Sequence, residues 1–348
     1  MGSCEGRHFA QGFSMKNFRN VAIILCSNPE TLSTELKRID SGTAATVEAE
    51  YGDTLVEGDF SLAHHGPRSY HRAPCVCPNA EGEEGHRYYG ALGMDVLKDL
   101  VIVGLSHVDL DSLGGVLALM NRKPEAPAFW DAAGAVDVNG AHKLQTPMKV
   151  NWSDFPIEVD EKTQLQLHSF WAWSEANRLF PPRDGSVTSA NKWCTAAEAQ
   201  IQKILDGDAE ALEAGRAHAA ASKALNESSF TQTVGPVVIR TSESFVNHIY
   251  SSPSGDLYMA VVGYNTKTKA VTVSLADPIE GVSCREIVQE LWGPEAGGHD
   301  GIAGSPRDRE MTYEDAVETA ERLARAIASK ELWHPRTDRE EAYHRLLG

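Results

Sequence analysis

The segment Ser106-His107-Val108-Asp109-Leu110-Asp111 puts one imidazole and two carboxylates at alternate positions, directly after the apolar run Leu100–Leu105. Alternate side chains of an extended backbone share one side. His107, Asp109 and Asp111 are therefore expected to converge where a strand ends. One imidazole with two carboxylates suits manganese, magnesium or iron better than a thiolate-rich zinc site. The competing account makes the aspartates caps of a following helix and His107 a turn residue. Three such groups on a buried strand are costly without a cation, and that favours the metal.

Other segments carry compatible chemistry. His64-His65 follows the strand-like run Gly58 to Leu62, with a tight turn at Gly66-Pro67 and a phosphate-matching fork at Arg68. One imidazole could ligate a metal while the other contacts substrate. Asp137 ends the apolar stretch from Phe129 to Val138; it either completes the site or starts the turn at Asn139-Gly140. His142 is close enough in sequence to be a further partner. The glycine-dense segment from Gly297 through Arg307 lets backbone N–H groups approach an anion, with Gly297 and Gly298 leading and His299 and Arg307 adding charge-assisted donors. Cys75 and Cys77, near His71 and His86, lack the second thiolate pair expected of a structural zinc site. Trp171, Trp173 and Trp193 are expected to pack a domain junction.

These groups need elements to hold them. Asn20 to Cys26 reads as a buried strand, Pro29 to Ile39 as a helix, and Thr46 to Leu62 as two short strands around Gly52-Asp53, followed by a loop to about Gly85. The strand Leu100–Leu105, a polar turn and a helix from Ser112 to Asn121 form a βα unit of an open α/β sheet, whose ligands bind at the carboxyl ends of the strands. An Ala-rich helical connector begins at Thr195 and is interrupted at Asp206-Gly207-Asp208. A second α/β stretch follows. It has strands near Val234 to Ile239, Leu257 to Tyr264 and Ala270 to Leu275, then helices at Cys284 to Trp292 and Tyr313 to Lys330.

A length of 348 residues fits two domains. The fold class expected is α/β. Residues 1–14 read as a disordered leader or an added remnant, with Met15 a candidate natural start, and 15–194 are expected to form a parallel-sheet metal-binding catalytic domain. Residues 195–230 are the connector and 231–348 a smaller α/β substrate-binding domain. The formal net charge of −17 argues against binding long double-stranded nucleic acid, which needs Lys and Arg against phosphates. No apolar run reaches the roughly 18–20 residues that span a bilayer, and the N-terminus has no secretory apolar core. Six scattered cysteines suit a reducing compartment. Cytoplasm is the expected location.

Taken together, the HxDxD segment, the histidine pair, the later Asp-x-x-Gly (Asp137 to Gly140), the helical connector and the Gly297-Gly298-His299…Ala303-Gly304 segment resemble the DHH phosphoesterase family, over about residues 20 to 330. That resemblance implies an N-terminal DHH domain with two metals, usually manganese, with magnesium as the alternative. It also implies a DHH-associated domain that grips substrate across a cleft. By the resemblance, His107 and Asp109 hold one metal and Asp111 the other. His64 and Asp137 are also ligands, and His65 contacts phosphate with Arg68. The implied activity is metal-dependent hydrolysis of a small phosphorylated nucleotide: a short oligonucleotide, pAp or a cyclic dinucleotide. Polyphosphate or pyrophosphate hydrolysis, or a nucleotide sensor without turnover, are the alternatives; a homodimer is left open. The chain departs from the family in three ways. Ala63 stands where the leading Asp of the Asp-His-His motif belongs. The histidine pair precedes HxDxD rather than following it. No bridging aspartate is evident, Asp53 and Asp59 being the nearest acids.

Overall fold

A computed structural model of the chain describes residues 20–65, 68–243, 251–252 and 256–331. The leader expected at 1–14, the turn residues Gly66 and Pro67 and the side chain of His142 lie outside the described part. The molecule is mixed α/β, with nine α-helices and two sheets that contain parallel pairs among the described residues.

The first sheet is built from β1 (Ala22–Leu25), β2 (Thr43–Val47), β5 (Phe60–Leu62), β6 (Leu100–Leu105) and β7 (Thr188–Ser189). Their order is β5-β2-β6-β1-β7. All pairs are parallel except β1 with β7. Between β2 and β5 a hairpin stands off the sheet: β3 (Glu50–Tyr51) and β4 (Thr54–Leu55). Helix α1 (Pro29–Lys37) starts where the Asn28 side chain accepts the Thr31 N–H at 2.8 Å, and its Leu32 and Leu36 cover one sheet face. The other face packs against α3 (Leu110–Leu119) and α4 (Pro127–Asn139), with α5 (Glu161–Ala176) and α6 (Asn191–Leu205) behind them. The stretch expected as loop up to Gly85 holds a 3-10 turn at Pro74–Val76, and α2 (Gly82–Lys98) opens before that limit. Four glycines in α2 lower its intrinsic helix propensity, and burial of Tyr89, Met94 and Leu97 overrides that. Trp173 meets Trp193 at 5.6 Å between ring centroids, and both pack into this first core rather than a junction between halves.

Helix α7 (Ala209–Ser228) follows α6 and lies along α5. The second sheet then forms from β8 (Thr231–Val234), β9 (Val237–Ser242), β10 (Ala260–Asn265) and β11 (Ala270–Leu275). After α8 (Cys284–Trp292), β12 (Gly297–Gly298) and β13 (Ile302–Gly304) complete it in the order β12-β13-β11-β10-β9-β8. Helix α9 (Tyr313–Glu331) and α8 bury Leu323, Ile327, Ile287 and Val288 against this sheet in a separate core. Among the described residues no helix is long and apolar enough to cross a membrane.

The two halves meet through the tip of the β3–β4 hairpin. Asp53 pairs with Arg285 of α8 and accepts from Gln289 Nε2 at 3.2 Å. Gly52 has φ +61°, and a Cβ there would stand 1.4 Å from the Pro294 carbonyl oxygen. Alanine at this position would adopt a left-handed conformation costing roughly 1–2 kcal/mol and could not stay docked. Gly52→Ala is expected to lower the Tm by several degrees. An unchanged melting curve would show that this hairpin does not hold the halves together in solution.

Candidate metal centre

Three adjacent strands of the first sheet, β5, β2 and β6, end level. Val47 is the register partner of both Leu62 and Leu105. The residues that follow each strand therefore emerge side by side: Glu48 after β2, His64 and His65 after β5, Ser106 and His107 after β6. This is the carboxyl edge of a parallel sheet, where open α/β folds place their ligands.

Asp109 and Asp111 arrive by a different route from the extended pleat expected. β6 stops at Leu105, and Asp109 is the N-cap of α3. Its Oδ1 accepts the Ser112 N–H at 2.8 Å while its Oδ2 lies 3.0 Å from His107 Nε2. The aspartate thus caps the helix and faces the cluster at once. Asp111 sits in the first turn of α3, and its Oδ1 accepts the Cys75 N–H at 2.9 Å. The positive end of the helix favours both carboxylates. Asp137 comes from the last turn of α4, neither at a strand end nor in a turn. His299 comes from the β12–β13 turn of the second sheet, its ring 4.7 Å from that of His65 between centroids.

Glu48 stands at the centre, and it was not among the sequence candidates. Its Oε1 lies 2.9 Å from Nε2 of both His64 and His65, and its Oε2 lies 3.2 Å from His107 Nε2. Asp53 and Asp59, the acids nominated as a bridge, lie elsewhere. Asp53 is taken by Arg285 at the hairpin tip, and Asp59 accepts the Ala44 N–H at 2.8 Å. The backbone of Glu48 has φ +47°, a conformation that a non-glycine residue seldom adopts and that tends to persist at functional sites. Ser106 Oγ donates to the Glu48 carbonyl, and Arg307 Nη1 donates to Ser106 Oγ at 2.7 Å, so the second half reaches the centre here.

Among the described residues four donor sets are tight enough to hold an ion: Glu48 with His107 and Asp109; Glu48 with His64, Asp111 and Asp137; Glu48 with Glu50 and His65; and His64 with His65, Asp137 and His299. His64 Nε2 faces three carboxylates at 2.9, 3.2 and 3.3 Å, from Glu48, Asp137 and Asp111. One ring nitrogen carries at most one proton and cannot satisfy all three. Among the described residues, Glu48 Oε2, Asp111 Oδ2, Asp137 Oδ2, His65 Nδ1, His299 Nε2 and Arg68 Nη2 are buried with no hydrogen-bond partner. Glu48, His64 and Asp111 are 0%, 1% and 2% exposed. Unmatched oxygens at that depth are expensive, and a divalent cation would satisfy them. These buried His, Asp and Glu groups can hold a metal ion.

The electrostatics point the same way. Burial lowers the affinity of His64 for a proton, yet Asp111, Asp137 and Glu48 hold its pKa well above the usual histidine range. His107 is likewise buried and beside Arg307, yet Asp109 and Glu48 lift it to about 9. Burial, reinforced by the Glu48 charge, pushes Asp111 up to about 7. Burial opposes ionisation of Glu48, but His107 holds its carboxyl well below its ordinary range. The cluster draws positive charge, which protons supply here and a cation would supply better.

Cys75 and Cys77 stay outside every such group. Burial pushes both thiols up, Cys77 to about 11, and their sulfurs face the Trp130 carbonyl and the Tyr88 hydroxyl. Gly297 and Gly298 form the strand beside His299. Gly298 has φ +137°, and a Cβ there would stand 2.7 Å from Ala303 Cα, so its glycine is required by the hairpin itself.

No family model matches the chain, and no curated protein matches it. Among solved structures it is similar to an uncharacterized protein from Helicobacter pylori G27 at 11% identity, covering 81% of this chain and 98% of that chain with a TM-score of 0.20.

Proposed function

We propose that the chain is a divalent-metal-dependent phosphoesterase of the DHH type, with Glu48 in place of the family's bridging aspartate. The observation that carries this is the set of buried donors around Glu48, in which one imidazole nitrogen, His64 Nε2, faces three carboxylates at once. His107, Asp109 and Glu48 would hold one ion; Glu48, His64, Asp111 and Asp137 would hold the other. An all-carboxylate and imidazole donor set favours manganese, with magnesium second. Two bound ions supply Lewis acidity to a phosphoryl group and lower the pKa of water toward neutrality.

The remaining residues act on the substrate. Arg68 Nη2 is unpaired and buried, and would donate to a phosphoryl oxygen. His65 and His299 lie beside each other, one from each half. They would meet the same phosphate side by side, with Gly297 and Gly298 fixing the position of His299. Arg307, anchored on Ser106, adds positive charge at the rim. Of the two halves, the first would carry the chemistry and the second would grip a small phosphorylated nucleotide. The five described cysteines are free and buried, which fits a reducing compartment such as the cytoplasm.

The test is a manganese-supplemented hydrolysis screen over oligonucleotides of graded length, cyclic dinucleotides, pAp and polyphosphate. Turnover of one nucleotide class is expected, together with its loss in Asp109→Asn, which keeps the oxygen that caps α3. Tight nucleotide binding without turnover or metal would replace the enzyme by a sensor. Full activity in Asp109→Asn would remove that residue from the site.

A further inference from the structure

Glu50 differs from the acids Glu48, Asp111 and Asp137. It lies two residues beyond Glu48 in β3 and is 6% exposed. Both of its oxygens accept from N–H donors. Oε2 accepts the His64 backbone N–H at 3.2 Å. Oε1 accepts the His65 backbone N–H at 3.1 Å and Arg68 Nε at 2.7 Å. Neither oxygen appears among the unpartnered buried atoms that mark Glu48, Asp111 and Asp137. Glu50 and His65 lie close enough to Glu48 to form a further candidate metal group, but a carboxylate already engaged by three N–H donors, a guanidinium among them, is a poor ligand. One carboxylate therefore ties together both backbone amides of the histidine pair and the guanidinium beside them. Held at Nε, the guanidinium leaves Nη2 free among the described residues.

We propose that Glu50 is a positioning residue, the socket that aims Arg68 at the phosphoryl group and fixes the backbone of His64 and His65. The proposal rests on the phosphoesterase function above. Glutamine has the same shape but must turn an NH₂ group toward one set of these donors, so it cannot serve both sides. Glu50→Gln is expected to lower kcat/KM about 10- to 100-fold, the usual loss when an outer partner of a metal ligand is removed, while the manganese content per chain is kept.

Chemical rescue separates positioning from general support of the fold. Arg68→Ala leaves a gap beside Glu50, and free guanidinium at a sub-denaturing concentration should bind the carboxylate there and restore part of the lost kcat/KM. The same rescue should be absent in Arg68→Ala/Glu50→Gln. If the glutamine variant does not fold, Glu50→Asp takes its place. It keeps the charge but is too short to reach both amides and a guanidinium, and rescue should be weaker than with Glu50. Rescue equal to that with Glu50 in either background, no rescue of Arg68→Ala at all, or loss of one manganese in Glu50→Gln would overturn the positioning role while leaving the phosphoesterase in place. Absence of turnover in the unaltered protein would remove both.

Discussion

Glu48→Gln is expected to abolish hydrolysis and to reduce manganese binding at both positions together, the largest effect of any single substitution considered. The side chain is fully buried and its two oxygens serve different partners: Oε1 faces His64 and His65, Oε2 faces His107. Glutamine preserves volume and reach. It removes the negative charge common to both donor groups and presents an NH₂ to at least one imidazole. Loss of an outer partner of a metal ligand costs up to about 100-fold, so loss of a ligand shared by both ions should exceed that. Metal content measured on the purified variant should fall from about two per chain, the stoichiometry of a shared-carboxylate pair, to one or none. Substitution of a residue that belongs to one group alone, such as Asp109, should remove one equivalent and leave the other. Two equivalents of manganese with near-normal turnover in Glu48→Gln would end the case for a bridge at this position.

Why Glu48 escaped the sequence reading is physically clear. His107, Asp109 and Asp111 were legible because Leu100–Leu105 is a continuous apolar run, so whatever follows it reads as a strand end. Thr43–Val47 is Thr-Ala-Ala-Thr-Val, a weak apolar signal, although four of its five residues are buried. In sequence the two glutamates after it read as part of a hairpin centred on Gly52-Asp53. That hairpin exists, but it begins at Glu50, and Glu48 belongs to the sheet edge before it. A short buried strand running into Glu-x-Glu was the available cue, the same pattern as in HxDxD. The order of strands in the sheet was not legible at all. Nothing local says that β2 lies between β5 and β6, and only that order brings Glu48 between the histidine pair and His107. The approach of His299 and Arg307 from the second sheet is likewise a product of docking between halves, although the residues themselves stood out by type.

Chelation should destabilise the unaltered protein more than Asp111→Asn, so that the two melting curves change order when manganese is added. Without metal, Asp111 is a 2%-exposed carboxyl whose Oδ2 shares the His64 imidazole with Glu48 and Asp137 and lies beside both their charges. Burial and the Glu48 charge already push it up to about 7, the sign of a site that resists another negative charge. Asparagine keeps Oδ1 for the Cys75 N–H and turns an NH₂ toward the carboxylates. A carboxyl whose folded-state pKa lies above its unfolded value costs stability as it ionises, and asparagine removes that cost. In chelator, Asp111→Asn should therefore melt a few degrees above the unaltered protein, at roughly 2–4 °C per kcal/mol. Manganese at about a thousandfold over its Kd stabilises a binding-competent fold by about 4 kcal/mol per site. The unaltered protein should gain this at both positions, and the variant should lose the contribution of the His64–Asp111–Asp137 group. The crossing distinguishes a metal centre from a buried ion-pair network. In a network that serves the fold alone, chelator would leave the unaltered protein unchanged, and Asp111→Asn would be the less stable chain under both conditions.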